Sequence, residues 1–216
     1  MCGIGQIPPV DVTNHPNTPP LARSPVRLAA LRGALLTVLV TGLLCAPLVV
    51  FTPVLVKEVF QGGAGHFSAA LVAFGVGGLL GAAGLLGIPP SVDRRRLTSG
   101  FALAQGAALV LIGLNPWFWG VLPLLVVAGA SMTISNTAAN SLLQATASRH
   151  LLGRTVSLYM LAMRGGISLG ALLSGALVGL LGVRQVLLLD GIAALAVQLV
   201  VARMWFRTPL PDSAAT

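Results

Sequence analysis

Arg164 lies ten positions beyond Arg154 in an otherwise apolar stretch, and a helix rising 1.5 Å per residue carries it roughly 15 Å past that first arginine. A guanidinium so deep in an apolar segment costs at least about 2.5 kcal/mol to insert into a bilayer, so it belongs against a bundle interior or a wet cavity. Two roles fit: a positive group that attracts an anionic substrate or opposes proton leakage, or a structural arginine bonded to carbonyls of its own or a neighbouring helix. Asn136, Asn140 and Gln144 recur every fourth residue and stack on one helix face. Thr133 and Thr137 extend the flank of this stripe. It can line a polar cavity or join helices by hydrogen bonds. Asp190 follows Arg184 by six residues, and either a local ion pair at the outer interface or a proton-coupling carboxylate suits it.

Other chemistries lack their parts. Ser174 sits among glycines and leucines in the manner of an intramembrane nucleophile, but such a serine needs a histidine base within hydrogen-bond reach. The histidines are His15, His66 and His150, all outside the apolar stretches. No His, Cys, Asp or Glu cluster has metal-ligand spacing, and no Gly-x4-Gly-Lys-Ser/Thr phosphate loop is present. Cys2 and Cys45 are too few and too far apart for a disulfide framework. Neither enzyme activity, a metal nor a cofactor is expected.

The elements that must position these side chains are set by the solvent. Hydrophobic residues make up 56% of the 216 and charged residues only 8%, with a mean hydropathy of +0.92, whereas soluble domains carry roughly 25% charged residues. Lipid is the medium that fits. A bilayer core takes about 20 apolar residues per helix, which divides the chain into six segments near 33–56, 67–88, 98–114, 118–147, 156–181 and 186–204. The stretch from Gly33 to Val56 exceeds the 7–15 residues of a signal-peptide core and lacks its small-residue exit. Residues 1–22, rich in proline, asparagine and threonine, are expected to form a disordered leader, 23–207 the membrane domain, and 208–216 a cytoplasmic tail.

The formal charge of +8 does not indicate nucleic acid, because the basic residues fall in short runs between apolar segments. With a cytoplasmic leader, Arg23, Arg27, Arg32, Arg94, Arg95, Arg96, Arg149, Arg154, Arg203 and Arg207 all lie inside, and only Lys57 and Arg184 outside. Positive-inside bias therefore places both termini in the cytoplasm of a multi-pass cell-membrane protein. Trp117, Trp119 and Trp205 fall at segment ends, where indoles favour the interface.

Inside lipid, helices associate by close packing of small residues. Gly77 and Gly81 share one helix line, Gly166, Gly170 and Ser174 another, and Gly175 and Gly179 a third. The second and fifth segments each carry a mid-helix glycine pair, which suggests an internal duplication of three helices. These faces predict tight crossings in an all-α bundle.

Four stretches carry a family resemblance: Phe74-Gly75-Val76-Gly77-Gly78-Leu79-Leu80-Gly81; Asn136-Thr137 with Leu142-Leu143-Gln144; Gly153-Arg154-Thr155-Val156-Ser157-Leu158-Tyr159; and Arg164-Gly165-Gly166. In this order they resemble the carboxy-terminal half of a major facilitator superfamily transporter, in the branch of the enterobactin exporter and related drug or secretion-type permeases. The resemblance covers roughly Leu21 to Arg207. It implies a six-helix half-bundle of two three-helix repeats, working with a second six-helix half, or as a homodimer, around a central cavity that opens alternately to each side. The cargo would be a small molecule, its export driven by an ion gradient. Asp93, Arg94, Arg95 and Arg96 occupy the place of the superfamily's Asp-Arg-x-Gly-Arg turn, a cytoplasmic loop latch, although the glycine is missing and two prolines are added. The alternative is a truncated or split-gene fragment that acts only with a partner half.

Overall fold

With no water to satisfy the backbone, an apolar chain in lipid must pair its amide groups within each segment, and helices do this locally. The computed structural model describes residues 25–89, 92–146 and 152–206, and all their regular structure is helical. The elements are α1 (Pro25–Val40), a π-helical turn (Thr41–Cys45), α2 (Pro47–Val54), a second π-helical turn (Leu55–Val59), α3 (Ala64–Leu86), α4 (Arg94–Leu114), α5 (Phe118–Thr146), α6 (Leu152–Leu181) and α7 (Val183–Phe206). Among the described residues, six stretches are long and apolar enough to cross a membrane, the first running from Leu31 to Val59. The leader 1–22, the tail 208–216, Arg23, Arg149 and Arg207 lie outside the described residues.

The first span owes its irregular winding to proline. Pro47 and Pro53 have no N–H to return to the carbonyl four residues back, and the helix widens by one residue beside each. Ala46 N–H donates to the Thr41 carbonyl, five positions earlier, at 3.0 Å. Thr41 and Thr52 turn their hydroxyls onto carbonyls of their own helix, at 2.9 Å on Thr37 and 2.7 Å on Leu48.

Glycine decides how the spans cross. On α3, a Cβ at Gly77 would overlap the Val126 carbonyl of α5, and one at Gly81 would stand 2.7 Å from the Ala130 oxygen. On α6, Gly166 faces the Leu39 carbonyl at 3.0 Å and Gly170 overlaps that of Leu43 in the same sense. Gly175 meets only the Phe51 ring at 3.4 Å, an ordinary contact. Spans one to three and four to six thus correspond: the middle helix of each triplet crosses the first helix of the other. The third helices, α4 and α7, pack on each other through Gly106, Gly113 and Gly191. The described residues form an all-α bundle of six spans in two corresponding sets of three.

The same correspondence governs exposure. Only 17% of the apolar stretch of α3, and 17% of that of α6, is buried, against 44% to 56% for the other four spans. The two middle helices flank the bundle and leave long faces uncovered.

Three local features differ from the sequence expectation. Arg94, Arg95 and Arg96, expected in the loop with Asp93, form the first turn of α4. The Asp93 carboxylate caps that helix by accepting from the Arg95 N–H at 2.9 Å, as short acidic side chains do at this position. Trp205 is buried against Gly33, Ala34 and Tyr159, whereas Trp117 and Trp119 are exposed. Finally, α6 and α7 are joined by Gly182 alone, whose φ of 83° suits a residue without a side chain.

Candidate functional site

Alternating spans put Arg32, Arg94, Arg95, Arg96, Arg154 and Arg203 at one end of the bundle and Lys57, Glu58 and Arg184 at the other. Arg95 is buried at its end, while Arg94 and Arg96 are exposed.

Arg164 is exposed on α6, twelve residues after that helix begins and seventeen before it ends. At 1.5 Å per residue it stands about 18 Å from one end and 25 Å from the other. Among the described residues, no hydrogen bond or ion pair holds its guanidinium. The interior of the six-helix bundle is therefore not its environment. Next to it, Gly165 and Gly166 help line a groove of about 650 Å³ between α1 and α6, walled by Leu36, Leu39, Leu161 and Leu169 and with Arg32 at one end. Its wall is mostly apolar with a basic group at its edge, the usual form of a small-molecule site.

The amide stripe divides. Asn140 and Gln144 bond each other along α5, Gln144 Nε2 donating to Asn140 Oδ1 at 3.1 Å. They lie within two turns of the helix end, and Gln144 is exposed. Asn136 is nearer mid-helix and half-buried, and its carbonyl accepts from the Tyr159 hydroxyl of α6 at 3.3 Å. That bond ties α5 to the helix that carries Arg164. Thr137 is exposed and Thr133 approaches Gly78 of α3.

Asp190 and Arg184 do not pair. Six residues at 100° each set them about 120° apart around α7, and they find different partners. The Arg184 guanidinium donates from Nε to the Gly113 carbonyl at 2.7 Å and from Nη2 to that of Leu114 at 3.0 Å, closing the carboxy-terminal end of α4. Asp190 instead accepts from the Ser174 hydroxyl of α6 at 2.8 Å, both residues being buried.

A further polar contact deep in the bundle joins Gln198 of α7 to Thr37 of α1: Thr37 Oγ1 donates to Gln198 Oε1 at 3.4 Å, and Gln198 Nε2 to the Thr37 carbonyl at 3.3 Å. Gln105 on α4 is equally buried, and its Oε1 has no partner among the described residues. Sequence reasoning passed over both glutamines. The available signal was a lone amide inside an apolar run, Ala196-Val197-Gln198-Leu199 and Leu103-Ala104-Gln105-Gly106, which in a membrane requires a partner.

A family model described as transmembrane secretion effector matches residues 24–215. No curated protein and no solved structure matches the chain.

Proposed function

Since the chain belongs to the transmembrane secretion effector family, a transporter family of major facilitator type, we propose that it acts as the carboxy-terminal half of a small-molecule exporter. In this reading it works by alternating access, driven by an ion gradient, with a second six-helix body against the exposed faces of α3 and α6. The observation that carries the reading is Arg164. A charge near mid-membrane on an uncovered helix face has no counterpart in lipid tails, and it is tolerated where a water-filled path or another protein body lies against it. The small-residue crossings leave α3 and α6 on the flanks of the bundle, the geometry a second half requires.

Within this reading, Arg164 and the apolar groove beside it meet the cargo, an amphipathic molecule with a polar or anionic group. Asn136 lies on the adjoining α5 wall, and Asn140 and Gln144 continue it toward the arginine-rich end. Asp93 and Arg94 to Arg96 hold that end together by fixing the start of α4. The arginine distribution supports placing this end and both termini in the cytoplasm, with the protein in the cell membrane.

The test uses a chain in which Cys2 and Cys45 are replaced by serine and Arg164 by cysteine, expressed in the native host. A charged, membrane-impermeant thiol reagent should label Arg164→Cys and leave Ile192→Cys, an exposed position on α7, unmodified. Equal silence at both positions would remove the aqueous path. Mass measurement of the tagged native product then identifies the second body. A product near 22.0 kDa means a separate half or a second copy, and one about twice that mass means a single twelve-helix chain.

A further inference from the structure

Hydroxyl groups within these spans mostly satisfy themselves. Thr52, Thr98, Ser99 and Ser157 each donate to the carbonyl four residues back, the local solution open to serine and threonine in any helix. Ser174 departs from this habit. Its hydroxyl leaves the α6 backbone and donates to Asp190 Oδ2 across the α6–α7 hairpin at 2.8 Å.

Asp190 lies seven residues beyond the start of α7 and Ser174 seven before the end of α6, so the pair lies about 10 Å below the Gly182 turn. Ser174 is 3% exposed and Asp190 7%. No cation faces the carboxylate from any element around it. α4 carries no ionisable side chain between Leu97 and Leu114, α6 none from Gly165 to Leu181, and α7 none but Asp190 from Gln185 to Ala202. From the first span, Cys45 is within electrostatic range, and a thiolate there would repel rather than compensate; Lys57 and Glu58, on the turn Leu55–Val59 beside α7, are both exposed. Arg184 is committed to the carbonyls of Gly113 and Leu114.

An ionised carboxylate with one hydroxyl donor and no counter-charge is among the most expensive groups to bury. A protonated carboxyl is not: it gains a donor of its own and keeps an acceptor. The donors available, one carboxyl and one hydroxyl with a thiol nearby, are too few to replace the hydration shell of a metal cation.

We propose that Asp190 and Ser174 form a proton-binding site whose occupancy sets how tightly α6 packs against α7. With the proton bound, the neutral carboxyl and the serine share a hydrogen bond in a dry contact. When the proton leaves to water, Asp190 becomes an anion, draws water into the hairpin, and loosens α6, one of the two least buried spans. The site rests on the transport reading only for its use, where it would link proton release to movement of the helix that carries Arg164.

The test needs no cargo. The chain has only five acidic side chains, few enough for a buried protonated carboxyl to be resolved by infrared spectroscopy of the full chain in liposomes. The expected result is a protonated-carboxyl stretch at neutral pH that disappears on alkalinisation. It is missing in Asp190→Asn and shifted in frequency in Ser174→Ala, which keeps the acid and removes its partner. Hydrogen exchange along Leu172 to Leu181 should rise on alkalinisation in the wild type and stay flat in Asp190→Asn. The proposal is overturned by the absence of the band at neutral pH, its survival in Asp190→Asn, its indifference to Ser174→Ala, or its loss on adding sodium at constant pH, which would make this an alkali-cation site. Were Asp190→Asn not to fold, the Ser174→Ala shift alone decides. Thiol labelling at Arg164 probes the transport path independently, so the failure of either reading is visible without the other.

Discussion

Gly170 of α6 lies against Leu43 of the first span so closely that a Cβ at position 170 would overlap the Leu43 carbonyl oxygen. The contact is backbone to backbone, and its site follows from the proline at 47. Without an N–H there, the helix around Leu43 relaxes into the π-helical turn Thr41–Cys45, and α6 crosses at that turn. Gly77 against Val126 is the corresponding contact in the other repeat.

Substituting Gly170 should therefore cost more than substituting any glycine in open space. A side chain at that position must push two backbones apart, and overpacking of this kind costs typically about 1–3 kcal/mol. Gly170→Val is expected to unfold at a clearly lower fraction of denaturing detergent in mixed micelles, with Gly77→Val behaving alike. Gly179→Ala, with no atom within 4 Å of its Cβ position, should be neutral. Equal sensitivity at positions 170 and 179 would mean that the α1–α6 crossing is not tight.

The six spans were legible because a run of about 20 apolar residues has few other uses. The crossings were legible because small residues at helical spacing have a mechanical meaning in lipid. Partner choice was less legible. The partner of Asp190 lies on another helix, and only the one-residue connection at Gly182 brings Ser174 to its level. Arg184, nearer in sequence, points elsewhere around the helix. The start of α4 was hidden differently: three consecutive arginines look like a loop by charge alone, and the capping bond of Asp93 makes them a helical turn. Arg164 was expected in an interior or a wet cavity, and its exposure on α6 excludes the interior of this bundle.

Arg184 should matter for the end of α4 rather than for Asp190. Its two donated bonds close carbonyls that no further turn of helix can satisfy. Arg184→Ala is expected to speed amide exchange over Leu111 to Trp117, with little change around Asp190. Lysine at this position should rescue only in part, because an ammonium lacks the planar fork that reaches two adjacent carbonyls. Faster exchange centred on residues 188–192 instead would show that Arg184 supports the acid after all.

The Thr37–Gln198 contact joins the first and last spans, yet its energetic weight should be small. Interhelical polar contacts in membranes average about 0.6 kcal/mol, since the separated helices also find partners. Gln198→Leu should therefore shift the unfolding midpoint less than Gly170→Val does. A larger loss would place Gln198 in a network with Gln105, whose Oε1 is buried without a partner among the described residues. The double substitution with Gln105→Leu would then be less than additive.

Arg164 allows a prediction in which stability and function move in opposite directions. Mid-helix arginine costs about 2.5 to 3.5 kcal/mol on insertion scales, while leucine is favourable by about 0.3 to 0.6 kcal/mol. With no bond to another described residue, the guanidinium returns nothing to the bundle. Arg164→Leu should therefore increase the fraction of chains in which α6 is inserted, measured by a glycosylation-site assay on the Gly182 side. It should also abolish export in everted vesicles once a cargo is in hand, and Arg164→Lys should retain part of that export. A structural arginine would behave differently: its removal would lower insertion or stability, and lysine would fail wherever the fork was needed. Increased insertion together with unimpaired export would take Arg164 out of the transport path and leave its place on the exposed face of α6 without a function.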